Sequence, residues 1–253
     1  MKDVLATPNE TRTASGAPGH AYTQQQVDYV MNLRLDENKS QIFGDEKITY
    51  HNNSKDYLEY LWVQLDQNMR ARDSKTPDIK SESFKAAFNG PKSFTNANLK
   101  KRFDGGFNID YVKNEDGSDL PFMINQTMMR INLAKPLAPG ETFKFQIKWW
   151  YNVNNHIIDG GRSGYEAFPD GNNTYVIAQF YPRLCVYDNV EGWQNMQFWG
   201  RSEFALEFGD YDVKLTVPAD HKVEATGVLQ NEKDVLTKEQ LKRFEKAKKS
   251  FKG

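Results

Sequence analysis

Residues 143–153 read FKFQIKWWYNV, and apolar side chains fall on every second position: Phe143, Phe145, Ile147, Trp149, Tyr151 and Val153. Lys144, Gln146, Lys148 and Asn152 stand between them. Successive side chains of a strand point to opposite faces, so this period of two describes a long strand with one buried face and one wet face. Trp150 interrupts the polar side, which predicts that the outer face is partly covered.

The same alternation recurs along the chain. Val27, Tyr29, Met31, Leu33 and Leu35 form one run, and Leu61, Val63 and Leu65 form another. Phe107, Ile109 and Tyr111 lead into NEDGSD and then PFMINQTMMRINL, which reads as a hairpin. Pro136, Pro139 and Gly140 mark the turn before the strand at Phe143. Further on, Phe204, Leu206 and Phe208, then Tyr211, Val213, Leu215 and Val217, flank a Gly209-Asp210 turn. Aromatic residues make up 13% of the chain and sit inside these runs, where flat rings pack well on a pleated surface. The pattern predicts an all-β fold, either a large antiparallel β-sandwich or one large curved sheet.

Three segments depart from it. Residues 1–19 are polar and read as a flexible lead-in to a single β domain over 20–253. Residues 66–102 are weakly patterned and read as a polar surface excursion, with a short helix about 83–88. The stretch VLTKEQLKRFEKAKKSFKG ends in a helix about 237–251. There Thr237 and Gln240 form a capping box, and Leu236 and Leu241 form a hydrophobic staple. Its terminal lysines suit the negative end of the helix dipole, so they need no binding role.

With 253 residues the chain is long enough to bury a full core. A net charge of −1 argues against a dedicated nucleic-acid binder. No run is long and apolar enough for a membrane span. The one cysteine, Cys185, lies between Leu184 and Val186 and reads as a small core residue.

The residues offer little catalytic chemistry. His20, His51, His156 and His221 never fall in the H-E-x-x-H spacing that puts two zinc ligands on one helix face. His51 and His156 read as turn or loop residues, and no metal site is expected. Asp159-Gly160-Gly161 reads as a tight turn. Asp188, Glu191, Glu203 and Glu207 contain a conceivable glycosidase pair, although solvated carboxylates are commoner. Arg183 and Arg201 are expected to tie loops together through Asp188 or Glu203. Asn9, Asn38, Asn52, Asn125 and Asn172 each open an Asn-x-Ser/Thr glycan-acceptor pattern. Phe180, Tyr181, Tyr187, Trp193, Phe198 and Trp199 form either a stacking platform for sugar or peptide, or a packed corner of the sandwich. The platform reading would make the chain a free-standing sugar- or protein-binding module.

Three longer strings carry a resemblance. LWVQLDQN at 61–68, AQFYPRLCVYDNVEGWQN at 178–195 and GRSEFALEFGDYDVKLTVPADHKVEATGVLQN at 200–231 resemble the amino-terminal domain of aminopeptidase-N family zinc metallopeptidases, in their Bacteroidetes-type form. The resemblance covers residues 20–251. It implies an all-β, saddle-like domain that covers one side of an active-site cleft. The H-E-x-x-H zinc motif and the G-x-M-E-N substrate loop of such enzymes belong to a second domain. The resemblance therefore implies a piece of a longer polypeptide: no catalysis by this chain alone, no cofactor of its own, zinc in the missing catalytic domain, and that domain and the N-terminus of a peptide substrate as partners. Relatives of this bacterial type are often exported, which suggests a periplasmic or envelope location. In the family a strand glutamine in a T-Q-x-E pattern reaches toward the free amine of the substrate. Gln179 in AQFY matches it, with Tyr181 where the family has glutamate, so Gln179 and Tyr181 are the expected substrate-binding residues.

Overall fold

The computed structural model describes residues 8–76, 103–200, 202 and 204–250. The chain divides into two compact units, Met1–Pro218 and Ala219–Gly253. Among the described residues every strand lies in the first, and the second carries the C-terminal helices.

Two sheets make the body of the first unit. One is built from β1 (Gln26–Asp36), β2 (Gln41–His51), β4 (Asn108–Asn114), β7 (Thr142–Asn152) and β13 (Tyr211–Thr216), in the order β13-β1-β2-β7-β4. Its pairs are antiparallel except β1 with β13, which is parallel. The other contains β3 (Leu58–Gln64), β5 (Phe122–Asn125), β6 (Met128–Leu137) and the two-residue β10 (Arg183–Leu184), in the order β10-β3-β6-β5. Two small hairpins, β8 (Gly164–Ala167) with β9 (Asn173–Val176) and β11 (Tyr187–Asp188) with β12 (Gly192–Trp193), complete it. The fold is all-β and open rather than a closed barrel, with a mixed sheet and a C-terminal helix.

The period-two residues meet in one core. Val27, Tyr29 and Met31 of β1, Ile48 and Tyr50 of β2, and Phe145, Ile147, Trp149 and Tyr151 of β7 share it with Leu61 and Val63 of β3 and Met129 and Ile131 of β6. Full burial of each such side chain contributes about 1.5–3 kcal/mol. Gly44 on β2 is part of this packing, because it pairs with Trp149 and a Cβ there would run into the indole ring. On the outer face Trp150 stacks against Phe43, with ring centroids 6.2 Å apart, and the Arg34 guanidinium lies 4.2 Å from the Phe43 ring centre. That face is partly covered, as the break in the alternation predicted.

Elsewhere the structure departs from the expected pattern. The hairpin in the 107–133 stretch joins β5 to β6, and Gln126 takes the left-handed turn position at φ 53°. NEDGSD instead closes a local turn, with the Asn114 carbonyl accepting from Gly117 and the Asn114 N–H donating to Ser118, before the chain crosses between sheets. Residues 204–208 form no strand, and only Phe208 bridges to Gln26. His51 ends β2 rather than lying in a turn, and its Nε2 is 2.9 Å from Asp28 Oδ2. His156 opens the four-residue helix α1 (His156–Asp159), capped by the Asn155 side chain, and Gly160 and Gly161 follow it with positive φ as a turn.

The start of the expected surface excursion is interior. Asp66–Arg70 is a 3-10 turn in which Asp66, Gln67 and Asn68 are buried. The helix expected about 83–88 lies outside the described residues. In the second unit, α2 (Glu232–Val235) precedes α3 (Lys238–Lys248), and both hydrogen bonds of the Thr237–Gln240 capping box are formed. No helix among the described residues is long and apolar enough to cross a membrane.

Candidate functional site

The polar end of LWVQLDQN meets the start of AQFYPRLCVYDNVEGWQN. The Gln67 side-chain amide donates to the backbone carbonyls of Ala178 at 3.1 Å and Gln179 at 2.9 Å. Arg70 donates to Gln67 Oε1 at 3.1 Å, which fixes which way that amide points. On the other side of Ala178, Ser163 Oγ donates to its carbonyl and accepts from its N–H, both at 3.0 Å. A few residues on, Arg183 donates from Nε to Asp66 Oδ2 at 2.7 Å and from Nη2 to Asp66 Oδ1 at 3.1 Å. The segment then joins the sheet through Cys185 N–H to the Trp62 carbonyl at 2.9 Å.

Gln179 is therefore held by its backbone. It lies in a bend after β9 rather than on a strand, at φ 52°. A left-handed conformation is uncommon for a residue with a side chain and marks a position that its surroundings dictate. The side chain is half-buried, and its amide makes no hydrogen bond among the described residues.

Tyr181 packs into the core. It is buried at 8% exposure, and its hydroxyl is 3.2 Å from that of Tyr211. Its ring meets Tyr29 edge-on at 5.3 Å, while Tyr29 and Tyr211 stack at 5.0 Å. The Tyr29 hydroxyl accepts from the Leu184 N–H at 3.0 Å. Burial pushes the Tyr29 and Tyr181 phenols up from their ordinary value, so both keep their protons at neutral pH. Tyr181 thus braces the segment from within the core.

Two carboxyls near this region are perturbed. Glu46 on β2 is fully buried, neither oxygen has a hydrogen-bond partner among the described residues, and burial, then Asp45, raise its pKa well above the usual range. Glu207 is pushed up to about 7 by burial, against the pull of the Tyr187 N–H that it accepts at 3.0 Å.

The catalytic alternatives do not assemble. Asp188 accepts from the N–H groups of Val190 and Glu191 and from Gln194, so it serves as a loop brace. Glu203 and Arg201 lie outside the described residues, and Arg183 pairs with Asp66 rather than with Asp188. Cys185 is buried, and burial pushes its thiol up to about 12, far from a reactive thiolate. Among the described residues no group of three or more His, Cys, Asp and Glu side chains could hold a metal ion. The aromatic residues fall into separate clusters instead of one platform. Trp193 packs on Tyr187 and Tyr50, Phe198 is buried against Phe204, and Tyr181 belongs to the tyrosine group. Asn52 is fully buried, and its amide donates to the carbonyls of Asp56, Leu137 and Ala138, which removes it as a glycan acceptor.

Asp66, Gln67 and Ser163 escaped the sequence reading. Asp66, Gln67 and Asn68, directly after an apolar strand, look like the start of a loop, and Ser163 follows a glycine-rich turn. The one signal for Asp66 and Gln67 was that LWVQLDQN continues without a break from strand into polar residues.

No family model matches the chain, and no curated protein matches it. Solved structures do. An M1 zinc metallopeptidase from Deinococcus radiodurans is similar at 14% identity and a TM-score of 0.41, over 85% of this chain and 37% of that one. A mutant of such an enzyme from the same organism, bound to a Tyr-Ser-Ala substrate, is similar at 13% identity and a TM-score of 0.41, over 85% of this chain and 38% of that one. The chain spans less than half the length of these structures.

Proposed function

We propose that this chain is the non-catalytic N-terminal β domain of a zinc aminopeptidase, covering the active-site cleft and presenting Gln179 to the free amine of the peptide substrate. The observation that carries this reading is the joint between two of the three family-like strings. Asp66 and Gln67 of one hold Arg183 and the Gln179 backbone of the other. A residue in a left-handed bend, braced from both sides, whose side-chain amide is not taken up by the described protein, has the character of a recognition residue. An amide oxygen accepts hydrogen bonds from an ammonium group, and a fixed acceptor measures the distance from that amine to the scissile bond.

In this reading the zinc and the groups that activate water belong to the catalytic domain of the same polypeptide, and this chain contributes binding only. The 253-residue chain incubated with zinc and aminoacyl-arylamides shows no turnover; activity that co-purifies with it overturns the reading. In the polypeptide that carries both domains, Gln179→Ala lowers kcat/KM for free-amine substrates by about tenfold or more, the scale of one lost hydrogen bond to a charged group. An unchanged kcat/KM removes Gln179 from the site and leaves the domain assignment standing.

A further inference from the structure

β13 is the outer strand of the five-stranded sheet. Its register with β1 sets Tyr211 beside Tyr29, Val213 beside Met31 and Leu215 beside Leu33. Neighbours across a ladder point to the same side, so Tyr211, Val213 and Leu215 continue the core-facing side of the sheet. Tyr29, Met31 and Leu33 are buried, yet Tyr211, Val213 and Leu215 are 44%, 40% and 42% exposed. The core face runs on to the edge strand and stays open there.

Among the described residues nothing hydrogen-bonds to the outer backbone side of that edge either. Val27 and Tyr29 donate to the carbonyls of Phe208 and Asp210. In a parallel ladder the even-numbered residues of β13 therefore bond to β1, and the N–H and C=O groups of Tyr211, Val213 and Leu215 point away from the sheet. An open edge with apolar side chains is a template for another strand.

We propose that β13 pairs antiparallel with β13 of a second copy of this chain, about a two-fold axis through Val213. The strand reads Tyr-Asp-Val-Lys-Leu and is complementary to itself in that register. Val213 faces its own copy, Tyr211 faces the partner's Leu215, and Asp212 faces the partner's Lys214, each twice over except the centre. The outward backbone groups fall on Tyr211, Val213 and Leu215, so these make the hydrogen-bonded pairs, with about six bonds across the joint. Asp212 and Lys214 fall at the non-hydrogen-bonded positions, where side chains approach most closely. A slide by two residues, which keeps the outward backbone groups paired, sets Asp212 against Asp212 or Lys214 against Lys214, so the charges select one register. A two-fold contact of this kind uses the same patch on both copies and closes on itself.

The test is sedimentation velocity of the whole chain over a range of concentrations. A monomer–dimer equilibrium is expected. Asp212→Lys and Lys214→Asp each set like charges against each other twice, and each weakens the dimer by about tenfold or more. Mixed in equal amounts, these two variants restore every opposite-charge pair and form a heterodimer. Val213→Pro removes the central outward N–H and abolishes dimerisation. All three positions are exposed, so circular dichroism is expected to match that of the wild type. A wild-type chain that stays monomeric, or a dimer that the charge variants and Val213→Pro leave unchanged, overturns the proposal.

Discussion

Asp66 and Arg183 form a two-point ion pair in the core, with Nε–Oδ2 at 2.7 Å and Nη2–Oδ1 at 3.1 Å, between residues 117 positions apart in sequence. Side-chain exposures of 0% and 7% leave neither group to water. The pair ties the turn that follows β3 to the start of β10, and so fixes the segment that carries Gln179.

Removing one partner leaves a buried charge without compensation. Asp66→Ala is expected to lower stability by about 3–5 kcal/mol in urea unfolding. The double replacement Asp66→Leu with Arg183→Met costs much less than the two single losses added. Additive losses would mean that the two residues act separately.

Glu46 makes stability depend on pH. Its folded-state pKa lies well above the ordinary 4.5, because burial disfavours the charge. The folded chain therefore binds the proton more tightly than the unfolded chain. That contribution is fully present below the unfolded value and is lost as pH rises toward the folded one. Thermal unfolding of Glu46→Gln against the wild type should show an advantage for the variant that grows as pH rises from about 4.5. A difference that is flat with pH would show that Glu46 titrates normally.

Gly44 is required by the indole of Trp149. Gly44→Ala is expected to lower stability by about 1–3 kcal/mol through overpacking. Combined with Trp149→Leu, which opens space for the new methyl group, its added cost should shrink. An equal cost in both backgrounds would place the strain elsewhere.

Gln179 trades local strain for position. Its φ of 52° suits glycine better than any residue with a side chain. Gln179→Gly is expected to be at least as stable as the wild type in urea unfolding, and Gln179→Val less stable by about 1–2 kcal/mol. A loss of stability in the glycine variant would mean that the glutamine side chain holds the fold.

The sheet body was legible in the sequence because apolar residues recur at every second position along Val27–Leu33 of β1, Leu61–Val63 of β3 and Phe145–Tyr151 of β7, and these side chains are the ones buried. The 204–208 run alternates as well, but only Phe204 finds a packing partner among the described residues, while Leu206 and Phe208 are exposed at 44% and 75%. Polar side chains taken into the core were hidden, since Asp66, Gln67 and Glu46 look solvated until a partner or a packed sheet is set against them. Gln179 was singled out through resemblance alone, and its bend was not legible, because a left-handed φ at a glutamine leaves no mark in composition or spacing. The partners of Tyr181 and Arg183 were hidden for one reason: Tyr211 and Asp66 are far away along the chain.

The assignment to a zinc aminopeptidase is tested most directly by sequencing the encoding transcript beyond the codon for Gly253. An open reading frame that continues into an in-frame His-Glu-x-x-His motif, with a glutamate ligand downstream of it, is the result expected. A frame that closes without such a motif would contradict the assignment.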